Sequence, residues 1–472
     1  MKVKQKKILD LVVVGSGLSS LNFIDTYLKK KKKVDVISPD FTDKLKFKKK
    51  YKKEPLPSQM KGKNILIENY FSSNKIIIEK KCHALGVLTS GGLSNYWGLQ
   101  LDNYFFRDQK ELKDKTFKLI ENEFIEFLNK FKIIGNFYSK DKLIYKNNIE
   151  IPTFLSRLIK IKDKYFKFQK PILGYFSEKK KIYLDKINEN NDKLIPKNFL
   201  KKINKNKKII FHNYYVDRII KNKKIIKLVL KNENGSKIVY CKKIVFGTGA
   251  IATTKILMDY LKIKNEIKIK HHPRLFSLFF SRKPINSKLK FTPSLMQVVS
   301  KPFKKRFSAD IRPGNKFITE SLIEGFPFLY PIKFLINYFE SRLIFSNILI
   351  DSTHSNLFLK RENNKFTLFS KAKGVSKKLK EQSKKIFEFL VSNKVIYPFY
   401  KTYYPGNGAD YHYFGSIPFK KKGKLGVNNN CQLLANKNIY IVDGSVFDFK
   451  TNKYPLGLVI ANARRIGKLL SK

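Results

Sequence analysis

The run Ile8-Leu9-Asp10-Leu11-Val12-Val13-Val14-Gly15-Ser16-Gly17-Leu18-Ser19-Ser20 constrains the fold more than any other stretch of the chain. Its apolar, β-branched first half reads as a strand buried on both faces, as in a parallel sheet. A helical stretch follows through about Lys30, then a second strand at Val34-Asp35-Val36-Ile37. The whole is a β-α-β unit with a glycine-rich first turn. Gly15 permits a tight turn, and Gly17 has no side chain to block an anion approaching the helix N-terminus, where unpaired amides and the dipole favour negative charge. The third position of the dinucleotide fingerprint is Ser20, still small enough for helix–strand packing. The acidic residue expected at the end of the second strand is replaced by Ser38, with Asp35 and Asp40 on either side. A serine there can still hydrogen-bond a ribose hydroxyl.

Further along, residues 41–75 are polar and lysine-rich and read as an excursion, and 105–135 read as helical. Residues 140–205 show no clear period. Ile209 to Leu230 reads as two strands around Asn222-Lys223-Lys224, and 242–250 as a strand ending in a small-residue turn, with a helix after it. Residues 439–442 form a last short strand and 455–470 an end helix. At 472 residues the chain suits one large domain or two interleaved ones.

Composition excludes some classes. Hydrophobic residues make up 42% of the chain, which is ample for a core. Lys+Arg 98 against Asp+Glu 37 gives a net charge of +61, yet only eleven of the 98 are arginine. Phosphate and base recognition favours the planar fork of Arg, so the lysine excess reads as compositional background and nucleic acid is not the expected partner. Cys82, Cys241 and Cys431 form neither a disulfide framework nor a Cys-x-x-Cys zinc motif. The N-terminal apolar run is too short for a signal peptide, and no stretch matches a membrane-spanning helix. The chain is therefore expected in the cytoplasm. Phe326 to Ile350 reads as a buried aromatic core; the alternative, that it lies against a membrane, has no other support in the sequence.

Four more blocks stand beside the first turn: Gly91-Gly92-Leu93-Ser94-Asn95-Tyr96-Trp97-Gly98, the 242–254 strand and turn, Tyr411-His412-Tyr413-Phe414-Gly415-Ser416, and Ile439-Tyr440-Ile441-Val442-Asp443-Gly444-Ser445. Pro455 then opens the closing helix. In this order the five blocks resemble the glucose–methanol–choline (GMC) family of FAD-dependent oxidoreductases, over about half the chain. The likeness is greater to bacterial sugar-oxidising or polysaccharide-associated members than to the choline or cholesterol branches.

The resemblance implies an α/β protein with a Rossmann-like FAD-binding domain, discontinuous in sequence (1–135, 206–264 and 426–472). A second, α+β substrate domain would take 265–425, and 136–205 would be an insertion or covering segment. Gly15, Ser16, Gly17 and Ser19 would hold the FAD pyrophosphate, and Ser38 the ribose. Gly92, Ser94, Asn95 and Trp97 would lie against the flavin and its ribityl chain. Val216 would meet the adenine through its backbone, with Gly247, Gly249 and Ala250 behind the adenosine half. Asp443 and Gly444 would border the ribityl–pyrophosphate region, and Pro455 and Leu456 would start a helix facing the flavin pyrimidine.

The implied activity is oxidation of a CH–OH group of a small alcohol or sugar, with hydride transfer to flavin N5, His412 as base and an electron acceptor left open. The family's second catalytic residue, a His or Asn before the closing proline, is here Tyr454; Asn452 is the other candidate. The His to which some members attach FAD covalently corresponds to Tyr96, which implies non-covalent FAD. The other five histidines read as structural or surface, and no metal is expected, since adjacent His271 and His272 would point opposite ways in a strand. The alternatives are a flavin-binding scaffold with weak or no turnover and a basic protein binding nucleic acid or membrane.

Overall fold

The computed structural model describes residues 7–31, 33–39, 65–101, 114–139, 142–177, 181–182, 189–203, 208–220, 225–285, 294–300, 307–314, 319–320, 323, 327–363, 365–371, 374–420, 423–448 and 454–472. Asp40, Asn452, Asn222–Lys224 and most of 41–75 lie outside them.

The chain folds as a mixed α/β protein. Its first strand, β1 (Ile8–Val14), leads through α1 (Leu18–Tyr27) to β2 (Lys33–Ile37), as the glycine turn and the valine run require. Five further strands and two helices complete this layer: β3 (Lys208–His212), β4 (Tyr215–Ile220), β5 (Ile226–Asn232), β6 (Gly235–Phe246), α2 (Ala250–Leu261), β7 (Asn436–Ile441) and α3 (Leu456–Ser471), of which β7 joins at the far side. Strands β3, β2, β1, β6 and β7 are parallel in that order, and β5 and β4 continue from β6 as an antiparallel meander. The expected pair of strands in 209–230 is thus three. The region between the second strand and the third holds its own helix, Asp114–Phe131, within the expected 105–135.

Helix α1 is buried along its whole length, between the sheet and α3. The two helices meet at backbone distance. A Cβ on Gly467 would run into Thr26 Oγ1 and the Phe23 carbonyl, so this position admits only glycine. Thr26 Oγ1 donates to the Arg464 carbonyl at 2.9 Å. Beside it the fully buried Arg464 guanidinium donates to Asp25 Oδ2 at 2.8 Å, and Lys130 reaches the same carboxylate at 2.7 Å. These charges hold the Asp25 carboxyl below its ordinary pKa, although burial alone would raise it.

A second sheet runs Ile396–Tyr403, Arg274–Ser281, Leu343–Ile350, Phe307–Pro313, Met296–Ser300, Phe166–Gln169, all antiparallel. Helix Val375–Ser392 covers one face, packing on Leu275 and Phe279. The last strand comes from 136–205, the stretch without a readable period, and Ile76–Ile78 pairs with Phe366–Leu368 in a third sheet. Strand pairing therefore crosses the boundaries that the sequence implies. Trp97 packs against the cores of both main sheets.

One expectation needs correction. Leu343–Ile350 is a buried strand, but Phe328, Tyr330, Phe334 and Tyr338 before it are exposed. The buried-core reading fails there because the segment is a short helical run that leaves these rings largely exposed. Among the described residues no helix is long and apolar enough to cross a membrane.

Candidate functional site

At the carboxyl ends of β1, β2 and β6 lies a cavity of about 260 Å³. The turn after β1 forms its floor. Gly15 holds φ +96°, and a Cβ there would sit 2.6 Å from the Gly247 carbonyl oxygen, so the turn after β1 can press against the turn after β6 only with glycine at this point. Ser16 Oγ lies 2.5 Å from Ser38 Oγ and accepts the Gly91 amide at 2.9 Å. Ser94 Oγ accepts the Leu18 amide at 3.2 Å. Two serines thus stitch the Gly91–Ser94 turn to the N-terminus of α1, and Gly17 and Ser19 of that N-terminus line the cavity.

Asp443 joins the far wall. Its Oδ2 accepts the Gly249 amide at 3.0 Å and Thr253 Oγ1 at 2.5 Å, and its Oδ1 accepts the amide and hydroxyl of Ser445 at 3.0 and 2.5 Å. Burial pushes this carboxyl above its ordinary pKa despite the four donors, which tie the end of β7 to the start of α2. The same turn is zipped to the His412 block: Gly415 donates to the Gly444 carbonyl at 3.2 Å and Ile417 to that of Ser445 at 2.8 Å.

His412 stands on the cavity wall, half-buried, with its exposed side on the cavity. Its Nδ1 is buried without a hydrogen-bond partner among the described residues. The ring meets Tyr454 edge-on at 5.0 Å and His272 at 5.9 Å. Burial pushes its pKa down to about 3; His272, Arg274 and His271 act in the same direction and Asp410 against it. Tyr411, the residue before it, holds φ +67°, a left-handed conformation that costs a bulky residue energy and here fixes the direction of the loop.

Below this loop is a carboxylate the sequence reading passed over. Asp410 Oδ1 accepts the His412 amide at 3.0 Å, and Oδ2 lies 2.5 Å from His271 Nδ1. The His271 contact holds Asp410 below its ordinary pKa against the opposing effect of burial. His271 and His272 lie in a connection between strands, not in a strand as expected, which lets both side chains reach the His412 loop; neither lines the cavity. The Asp-x-His spacing, an Asx-turn pattern, was the legible signal.

Tyr454 also lines the cavity, but its hydroxyl donates to Asp310 Oδ2 at 2.8 Å. Asp310 is fully buried and accepts Arg312 Nε at 2.7 Å and the Asn347 amide at 2.7 Å. Burial keeps the Tyr454 phenol protonated, well above its usual pKa. Nothing in the sequence pointed to Asp310 or Arg312, which lie in the second sheet.

Gly15, Ser16, Gly17, Ser19, Ser38, Gly92, Ser94, Trp97, Val216, Gly247, Gly249, Ala250, Asp443, Gly444, Pro455, Leu456, His412 and Tyr454 all border this cavity. Asn95 does not; its amide braces the turn by donating to the Ser90 and Gly92 carbonyls at 2.8 and 3.2 Å. Asp35, a flanking candidate for the ribose, pairs with His212 at 2.8 Å instead. Among the described residues no group of His, Cys, Asp and Glu could hold a metal ion.

The cavity has the chemistry that a dinucleotide cofactor needs. Two helix N-termini, those of α1 and α3, border it with no acidic residue in either first turn. A Cβ on Gly249 would meet nothing within 4 Å, so backbone lies open on the cavity side. Apolar side chains such as Leu85, Val87 and Val216 supply flat contact surface. No protein-family model and no curated protein matches the chain, so its function has to be read from the site itself.

Proposed function

We propose that the chain is an FAD-dependent oxidoreductase acting on a CH–OH group of an alcohol or sugar, similar to the GMC family. Its parallel sheet is then a Rossmann-like FAD-binding layer. The observation that carries this reading is the meeting, in one cavity, of the glycine-bearing turns at 15–17, 91–98, 247–249 and 444 with the His412 imidazole.

In this reading the first-turn amides of α1, with Gly15, Ser16 and Ser19, hold the pyrophosphate. Ser38 stands where a ribose hydroxyl would fall, and Val216 with Gly249 and Ala250 borders the adenosine half. FAD, when bound, supplies the acceptor for the hydride that leaves the alcohol carbon. The hydroxyl proton goes to His412. Burial leaves the imidazole neutral at neutral pH, with a lone pair for that proton, and at the same time weakens it as a base. Asp410 positions the His412 loop and, by its charge, favours the protonated ring. The N-terminus of α3 favours negative charge developing on the other side of the cavity. Tyr454, whose proton is committed to Asp310, presents its hydroxyl oxygen as an acceptor.

A flavin-binding scaffold without turnover is the second reading, favoured by that commitment of Tyr454. One set of measurements separates the readings. Purified protein should be yellow, with flavin released into the supernatant on acid precipitation, and a sugar or polyol should bleach it under anaerobic conditions. Bleaching that is unchanged in His412→Ala removes the assigned base; a yellow protein that no substrate bleaches favours the scaffold; a colourless protein that takes up no added FAD removes both.

A further inference from the structure

A surface remote from the cavity carries an unusual load of exposed rings. Phe334 is 67% exposed and Tyr338 79% on the short helix Lys333–Tyr338, and Phe399 is 71% exposed on the edge strand Ile396–Tyr403. The two elements form one patch. Phe280 lies 5.5 Å from Phe339 on one side and 6.0 Å from Tyr397 on the other. Ile332 and Leu335, 43% and 42% exposed, add aliphatic surface between the rings. Cations stand among them: Lys333 over the Tyr330 ring at 5.7 Å and Arg282 over Tyr397 at 5.4 Å. Arg342 donates to the Arg282 carbonyl at 2.6 Å.

We propose that this patch docks on the surface of an anionic lipid bilayer, the rings and aliphatic side chains entering the headgroup region and the cations meeting the phosphates. Aromatic residues with apolar bodies and wet tips, flanked by Lys and Arg, suit that boundary, and anionic lipid complements the charge. A second copy of the chain fits less well, since docking would press +61 against +61. A single-stranded nucleic acid could stack on the rings but has no use for Ile332 and Leu335. The proposal does not depend on the oxidoreductase reading.

The test is vesicle flotation of the full chain at about 0.5 M salt, where chain-wide charge attraction is screened and apolar insertion is not. With vesicles of about 30% phosphatidylglycerol in phosphatidylcholine, the wild-type chain should float. Phe334→Ser/Tyr338→Ser/Phe399→Ser should bind about tenfold more weakly or worse, with an unchanged circular dichroism spectrum. If the triple variant loses that spectrum, Tyr338→Ser alone is used and should show a smaller loss in the same direction. Equal flotation of variant and wild type, or none by either, overturns the proposal. So does a patch-dependent dimer in sedimentation velocity, or patch-dependent binding of poly(U) in place of vesicles.

Discussion

Replacing His412 by Gln should remove an acid sensitivity that the wild-type fold carries. In the fold the imidazole is pushed down to about 3, chiefly by burial. In the unfolded chain an imidazole titrates at about 6.5. Between these values the unfolded state binds more protons than the folded one. The contribution of His412 is therefore complete above the unfolded value, and stability falls as the pH drops below it, down to the folded value. At about pH 4.5 the unfolded imidazole is two units below its midpoint, and at about 1.36 kcal/mol per unit the loss is about 2.7 kcal/mol. Screening from the cavity side brings the expected figure to about 2 kcal/mol. Urea denaturation at neutral and acid pH, followed by circular dichroism and by the fluorescence of Trp97, measures it. Carboxylates titrate in both proteins, so the difference between wild type and His412→Gln isolates the imidazole. A variant that loses as much stability as the wild type, to within about 0.5 kcal/mol, would show that the ring is not held neutral by its surroundings.

Three further outcomes follow from the contacts. Asp25→Asn or Arg464→Met should each destabilise the fold in urea denaturation, by less than the about 3–5 kcal/mol of a fully stranded buried ion, because Lys130 still reaches Asp25 and Glu126 still faces Arg464; the double variant should cost clearly less than the sum, and additive losses would refute the coupling. Asp443→Asn should cost about 1–3 kcal/mol and weaken cofactor retention, since whichever way the amide turns its NH2 faces a backbone N–H that cannot reverse; an unchanged melting temperature would contradict this. Gly15→Val should lower flavin content in purified protein without preventing expression as strongly as Gly467→Val, which drives a side chain into the α1 backbone; equal flavin content in Gly15→Val and wild type would sink the turn's assigned role.

The strands at Ile8–Val14, Lys33–Ile37 and Asn436–Ile441 and the end of Gly235–Phe246 were legible because they are apolar and rich in β-branched residues, and because Gly15 and Gly247 mark the turns after two of them. The cavity wall was legible for the same reason: small residues mark where backbone must approach something closely. What stayed hidden lay elsewhere. Asp310, Arg312 and Asn347 are ordinary polar residues in alternating strands, and only the pairing of Phe307–Pro313 with Leu343–Ile350 brings them under Tyr454. Strand Phe166–Gln169 follows no readable period because its partner, Met296–Ser300, is distant in the chain. The exposed rings of 328–338 were misread because composition reports how apolar a segment is, and not whether another layer covers it.

The joint between α1 and α3 sets a timetable for assembly. Asp25 and Arg464 are 439 residues apart in sequence, yet the first helix after the glycine turn is walled by the last one. Until α3 has been made, α1 lacks the helix that covers its outer flank, and Asp25 lacks one of its two cations. The α1 side of the cavity therefore gains its full support only once residues 456–471 have folded back onto it.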